Sequence, residues 1–345
     1  MYIRAVGNIS PQASFSELLK EPVVYASNRL TCIEPDYSKI LDPKLIRRMS
    51  HIIKMGVAAA RECLKEAGID NPDAIITGTA YGCLADTESF LAKMVENKEE
   101  LLTPTAFIQS THNTVGAQIA LMLKCHNYNN TFVHRGFSFE NSLLDAISLI
   151  QDGEASNALV GGVDEITDTS HAILSRFGLY RNDPVSSGDI LASKSRGTIG
   201  GEGASFFLLS DQPSDKDYAE LIAVRTFYKP ANTNEIKRNI LSFLEEQSFN
   251  IDDVDIVLYG RNGDSKNDSV YDELDQALFA NKTAINYKHL CGEYPTSSAF
   301  ALWLASNSLK TGQVPGAAID KRPESILIYN HYQQIHHSLY LLSAC

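Results

Sequence analysis

The stretch Thr131-Phe132-Val133-His134-Arg135-Gly136-Phe137-Ser138-Phe139-Glu140 constrains this chain's fold more than any other. Thr131 to Val133 reads as the end of a buried strand. Leu143, Leu144, Ile147 and Ile150 then recur at helical spacing, so a helix begins near Phe137 to Glu140. The strand must turn into that helix within a few residues, and Gly136 stands at the apex, where a backbone without Cβ has the widest choice of conformation. Such a corner holds its apex residue beside the unpaired N–H groups of the helix start. The positive potential there lowers a thiol pKa, which makes the position suited to a nucleophile. Glycine offers no side chain to react.

The rest of the chain repeats this strand-and-helix grammar. Tyr2 to Val6 is a strand that leaves through Gly7-Asn8-Ile9-Ser10-Pro11. Asp42 as N-cap and Pro43 in the first helical position open a long helix, with Leu45, Ile46, Met49, Ile52, Ile53 and Met55 on its apolar side and Gly68 closing it. Ala74 to Thr77 and Ala158 to Asp164 are buried strands, and Ser205 to Leu209 is a third. Asp211-Gln212-Pro213-Ser214-Asp215-Lys216-Asp217 is the one linker-like stretch, which divides the chain into halves 1–213 and 214–345. The second half predicts strands at Leu221 to Val224, Asp255 to Tyr259 and Ser325 to Tyr329. Helices are expected at Asn234 to Glu246, Asp272 to Phe279 and Thr296 to Lys310. Alternation of this kind predicts an α/β fold with largely parallel sheets covered on both faces.

Charge and cysteine usage narrow the partners. A net charge of -12 over 345 residues argues against nucleic acid or an anionic membrane surface, since both demand a basic footprint. A hydrophobic fraction of 44% and a charged fraction of 21% are those of a soluble globular protein. No apolar run is long enough for a bilayer, and Met1-Tyr2-Ile3-Arg4 does not read as a signal peptide. Cys32, Cys63, Cys83, Cys125, Cys291 and Cys345 form no C-x-x-C pair, as expected of free thiols in a reducing cytoplasm. The nine histidines show no metal-ligand spacing, so no metal or other cofactor is expected. Lys44, Arg47, Arg48 and Lys54 gather near the front of the long helix. In so acidic a chain they are the candidate dock for an acidic carrier.

Six landmarks, in order over nearly the whole chain, resemble the ketosynthase branch of the thiolase fold. They are Val6-Gly7-Asn8-Ile9-Ser10-Pro11, Arg47-Arg48-Met49-Ser50, Asn113-Thr114-Val115-Gly116-Ala117-Gln118, Gly161-Gly162-Val163-Asp164, Gly201-Glu202-Gly203-Ala204, and Lys288 with Gly292. The resemblance implies a thiolase-like αβαβα layering with two similar halves, and a pseudo-twofold dimer paired through the strand at Asn129 to Arg135.

The departures from the family carry the functional reading. A decarboxylating condensing enzyme needs a cysteine to carry the acyl chain and two histidines to stabilise the developing enolate oxygen. Carried over by position, the cysteine falls on Gly136, the first histidine on Tyr259 and the second on Glu293, while Lys288 is retained. The glycine-rich gate of the family falls on Asn330-His331-Tyr332-Gln333-Gln334-Ile335-His336, without its glycines. The resemblance therefore implies a subunit without condensing chemistry, similar to a chain-length factor. Such a subunit is expected to pair with an active ketosynthase and receive an acyl carrier protein. His134 and Arg135 would then bond across the interface, and Phe137, Phe139 and the segment from Thr103 to Asn113 would shape the acyl tunnel. Core packing is the equal alternative for the two phenylalanines. A second reading relocates the nucleophile to Ser138 or Cys291 with His289, His336 or His112 as base. Against it, Ser138 suits a helix cap and Cys291 a small buried residue. A third reading is a homodimeric acyl-binding or scaffold protein.

Overall fold

The computed structural model describes residues 1–345. Ten strands form one continuous sheet. The first half supplies β1 (Tyr2–Ile9), β2 (Ala74–Gly78), β3 (Tyr128–Phe132), β4 (Asn157–Asp164) and β5 (Gly203–Ser210). The second half supplies β6 (Ala219–Tyr228), β7 (Ile256–Tyr259), β8 (Thr283–Asn286), β9 (Ser325–Tyr332) and β10 (His336–Ser343). Read outward from the centre, the strand order is β1-β5-β4-β2-β3 on one side and β6-β10-β9-β7-β8 on the other. These are the same order, one half repeating the other. The two sets meet only where β1 pairs with β6 at Tyr2–Glu220 and Ile3–Ala219.

The sheet is mixed, and its parallel share is smaller than the alternation predicts. Parallel pairing is confined to the outer three strands of each half, and the centre from β9 to β4 is antiparallel throughout. Helical period reveals that a strand is followed by a helix. It does not reveal the direction of strands joined by hairpins or long loops.

The helices are α1 (Phe15–Lys20), α2 (Pro43–Ile46), α3 (His51–Ala67), α4 (Leu84–Glu96), α5 (Pro104–Gln109), α6 (Thr114–Leu123), α7 (Ser138–Gln151) and α8 (Asp168–Arg176). In the second half they are α9 (Thr233–Glu246), α10 (Ser269–Leu274), α11 (Lys288–Cys291) and α12 (Ser298–Thr311). Three apolar layers hold them. The inner faces of both half-sheets close on α7 and α12 through Val160, Phe139, Leu143, Leu258 and Leu302. On the outer face of the first half, Leu159, Phe206 and Leu208 pack under α3 and α6. On the outer face of the second, Val257, Tyr259 and Leu339 pack under α9 and α10. Neighbours on one strand thus bury opposite faces, and each such aliphatic or aromatic side chain contributes about 1.5–3 kcal/mol relative to exposure. None of the helices is long and apolar enough to cross a membrane.

Two predicted elements change shape. The long helix from Asp42 to Gly68 is broken. α2 ends at Ile46, and α3 restarts at His51 after an extended Ser50. The break is held by His51, which bridges Glu34 at 2.7 Å and Glu202 at 2.9 Å, both far away in the chain. The strand expected to reach Arg135 stops at Phe132, because His134 leaves extended geometry and Arg135 takes a positive φ of 50°.

Candidate functional site

The corner between β3 and α7 is pinned by Ser138. Its hydroxyl accepts the His134 N–H at 2.8 Å and donates to the Arg135 carbonyl at 2.8 Å. Both functions of the hydroxyl are spent on the turn, and no imidazole bonds to it. Gly136 is buried at the apex. A Cβ added there would stand 2.6 Å from Cβ of Tyr332 and 3.0 Å from its Cγ. The tyrosine fills the space a nucleophile's side chain would need.

Tyr332 ends β9, is 3% exposed, and its hydroxyl lies 3.5 Å from that of Tyr81. It is held there by a tight turn, in which the Ile335 N–H donates to the Tyr332 carbonyl at 3.1 Å. Gln333 and Gln334 occupy the turn with φ of 56° and 55°, a left-handed pair for which Asn-Gly is the favoured sequence. With Arg135, three non-glycine residues in left-handed geometry converge on the contact between Gly136 and Tyr332. Strain of this kind persists only where surrounding structure over-determines it.

Behind this contact, Glu293 and Lys288 form a buried ion pair. Lys288 Nζ donates to both carboxylate oxygens, at 3.0 and 2.8 Å, and to the His331 carbonyl at 3.3 Å. Asn262 Nδ2 donates to the same carboxylate at 2.6 Å. Burial pushes the Glu293 carboxyl upward, and the Lys288 ammonium pulls it back. The Glu293 backbone joins β-like bridges to Ile199 and Gly201, and its carbonyl accepts the Tyr180 hydroxyl at 3.0 Å. The carboxylate is a fastener with its hydrogen-bond capacity committed.

The other sequence candidates fall in different places. Tyr259 turns its ring to the outer layer against Tyr271, Phe279 and Tyr329, and Asn262 rather than Tyr259 reaches Glu293. Phe139 is fully buried in the central core, 5.8 Å from Phe207, and so packs rather than lines an opening. Phe137 stays at the corner, edge-on to His336 at 4.6 Å. His134 and Arg135 are exposed, as is Asn113 at the start of α6. Lys44, Arg47 and Arg48 are exposed on or just after α2 and make no ion pair, with the Arg48 carbonyl tied to Gln109 at 2.7 Å. Cys291 is fully buried, and burial pushes its thiol well up, which removes the thiolate a nucleophile requires. His289 and His336 are each pushed down to about 4 by burial. His112 is exposed against Gly82, away from Ser138 and Cys291 in its contacts.

A cleft of about 400 Å³ ends on Tyr332, with Tyr81, Arg135, Phe177, Arg196 and Lys266 among its walls. Sequence reading placed Tyr332 in the gate segment without giving it a role, and it missed Asn262, Arg196 and Lys266. For Tyr332 the signal was present, since the lost gate glycines leave a large aromatic next to the vacated apex. For the others no local pattern marks them.

The retained signatures are structural pins. Asp164 accepts Thr79 and Ala80 on one oxygen, at 3.0 and 2.8 Å, and Thr296 twice on the other, at 3.1 and 2.8 Å. Burial pushes it up to about 6 against these bonds. Glu202 accepts the N–H groups of Cys32 and Ile166 together with His51.

Two half-sheets of one topology around a pair of buried helices define a ketosynthase-type thiolase fold. The chain belongs to the beta-ketoacyl synthase family: residues 9–214 match that family's N-terminal domain. Over 202 residues it is 25% identical to a 3-oxoacyl-[acyl-carrier-protein] synthase 2 of Synechocystis sp., covering 54% of this chain and 49% of the relative. It is 22% identical over 202 residues to the protein of that name in Staphylococcus aureus, covering 54% and 48%. These matches span about half the length of the curated relatives. Among solved structures, the ishigamide ketosynthase/chain length factor superposes with a TM-score of 0.81 at 17% identity, covering 100% of this chain and 98% of the other. A beta-ketoacyl synthase of Burkholderia phymatum gives 0.81 at 14%, covering 100% and 99%. A type II polyketide ketosynthase solved with its acyl-carrier protein, AntDE:AntF, gives 0.77 at 17%, covering 100% and 99%. At these identities the structural likeness speaks for the fold.

Proposed function

We propose that this chain is a ketosynthase-like subunit without condensing activity, similar to a chain-length factor. It pairs with an active β-ketoacyl-ACP synthase and shapes that partner's acyl tunnel in type II polyketide, aryl-polyene or fatty-acyl biosynthesis. The observation that carries this reading is the contact of Tyr332 with Gly136, which leaves neither a nucleophile nor room for one. The buried Lys288–Glu293 pair supports it, since a committed carboxylate offers no donor to an enolate oxygen. The reading relocating the nucleophile loses support, because Ser138 is spent on its turn and Cys291 is sealed.

The partner surface is proposed on the face around β3 and α5. β3 is the outermost strand of its half and presents an unpaired edge. At or next to that edge Tyr128 and Val133 are 41% and 45% exposed, and on α5 Phe107 and Ile108 are 57% and 61% exposed. Lys44, Arg47 and Arg48, adjoining α5 through Gln109, are the proposed dock for the acidic carrier. The chain is placed in the cytoplasm on the same reading. Native mass spectrometry of the chain with the ketosynthase encoded beside it tests the proposal. A stable one-to-one complex is expected. A homodimer that takes up no partner, or an acyl adduct on this chain alone, would overturn it.

A further inference from the structure

The cleft that ends on Tyr332 is closed at its inner end and charged at its mouth. Arg135, Arg196 and Lys266 all stand exposed along its rim. None of their side chains makes an ion pair or a hydrogen bond, Lys266 being tied only through its backbone to Asp264 and Gln334. One carboxylate borders the same cleft, that of Asp264. It is buried and committed, accepting the Lys266 N–H at 3.0 Å and Asn267 Nδ2 at 2.8 Å. Three unpaired cations on one opening, in a chain of net charge -12, make a local field that favours an anion.

The inner walls are of the opposite kind. Tyr332, Leu179 and His336 are buried there, with Tyr81 half-buried beside them, and Phe177 stands at the mouth, 79% exposed. His336 is an independent sign of a ligand. It is 7% exposed, and Phe137 and Tyr228 hold its ring edge-on at 4.6 and 5.4 Å. Neither ring nitrogen has a hydrogen-bond partner. Nδ1 is sealed, which leaves Nε2 as the nitrogen open to the cleft. Burial, with the charges of His134, Arg135 and Lys229, pushes its pKa down to about 4 and keeps the ring neutral. A polar side chain so buried and unpaired calls for an explanation.

The cleft holds about 400 Å³, which lies within the range of about 300–1,000 Å³ usual for small-molecule sites. Tyr332 against Gly136 stops it short of the corner, so whatever enters is held rather than passed on. A bare anion would leave the aromatic wall in water, and a neutral aromatic would leave the cations unpaired. We propose that this cleft binds a small, free aromatic carboxylate. Its ring lies inward against Tyr332, Tyr81 and Phe177, and its carboxylate takes the rim cations and His336 Nε2. This gives the silent corner a ligand of its own, and so rests on the reading that the corner is inert.

Isothermal titration calorimetry of the full chain with hydrocinnamate tests this. Acetate and hydrocinnamyl alcohol serve as its two halves, and free phosphopantetheine as the arm a carrier would insert. Saturable binding of hydrocinnamate is expected, at least about tenfold tighter than either half, the worth of one charged hydrogen bond. Arg196→Gln and Lys266→Gln remove charges that hold nothing in the free chain. Each should leave thermal unfolding unchanged and weaken hydrocinnamate about tenfold. Phe177→Ala should weaken hydrocinnamate and leave acetate unaffected. Absence of saturable hydrocinnamate binding, equal affinity for acetate, phosphopantetheine bound as tightly or more so, or unchanged affinity in both rim variants would overturn the proposal. Binding is measured on the chain alone, so its failure leaves the pairing test standing, and a chain that pairs with no ketosynthase still reports on the cleft.

Discussion

Tyr332 stands where the side chain of residue 136 would have to be: an added Cβ on Gly136 would lie 2.6 Å from Cβ of the tyrosine. The two positions are thus coupled, and restoring one without the other is expected to fail. Gly136→Cys alone should destabilise the protein by about 1–3 kcal/mol through overpacking and should carry no acyl group. Tyr332→Gly empties a buried site and is itself destabilising, but Gly136→Cys with Tyr332→Gly should cost clearly less than the sum of the two singles, a non-additive result expected of residues in contact. Urea unfolding of the two single variants and the double variant, with intact-mass detection of acylation, measures both. Additive effects would show that the contact does not exist in solution.

How much of this site was legible in the sequence depended on what each residue does. The pins Asp164 and Glu202 were visible as motifs because a fixed local spacing serves a fixed turn. The glycine at the apex of the corner, residue 136, was visible for the same reason. Tyr259 ends β7 with its ring in the outer layer, while Asn262, in the loop three residues on, reaches Glu293, a contact between separate parts of the chain that no local pattern marks. The break before His51 was not legible, because Glu34 and Glu202 hold it from other parts of the chain. The antiparallel centre was hidden likewise, since strand direction is settled by pairing across the sheet rather than by local period.

The Lys288–Glu293 pair should behave as a buried ion pair whose halves are worth little apart. Both side chains are nearly inaccessible, at 1% and 2%. Lys288→Met leaves the Glu293 carboxylate with Asn262 as its only side-chain partner, and Glu293→Leu leaves a buried ammonium. Each is expected to cost about 3–5 kcal/mol, and the double variant clearly less than the sum. Chemical denaturation of the three variants reads this directly. If the double variant were as unstable as the sum of the singles, the pair would not act as a unit.

His51 should make stability depend on pH in the alkaline direction. Burial works against its charge, yet the bond to Glu202 and the charges of Glu202 and Glu34 carry its pKa up to about 9, from an ordinary value of 6.5. The folded state therefore holds the proton more tightly than the unfolded state. The stability this supplies is fully present below 6.5 and is lost as pH rises through 9. The advantage of wild type over His51→Gln, followed by urea unfolding across that window, should shrink steadily toward alkaline pH. An advantage that grows with pH would mean that His51 is neutral between its two carboxylates.

The proposed partner face makes the sharpest demand on function. Phe107 is 57% exposed on α5, beside the equally open Ile108 and near Leu101, which is 91% exposed. Phe107 packs one side of its ring on Phe90 at 5.7 Å, and its exposed remainder becomes favourable only when a partner removes it from water. Aromatic anchors dominate interfaces of this kind, and truncating one commonly costs 2 kcal/mol or more, about thirtyfold in affinity. Phe107→Asp should therefore leave the chain folded, with a small drop in thermal stability from the lost Phe90 contact, and abolish its one-to-one complex with the neighbouring ketosynthase at micromolar concentration. Arg238→Glu, exposed on α9 of the second half, should leave pairing intact. Were Phe107→Asp to pair as tightly as wild type, α5 would not belong to the interface, and the proposal that this segment shapes a partner's tunnel would fail with it.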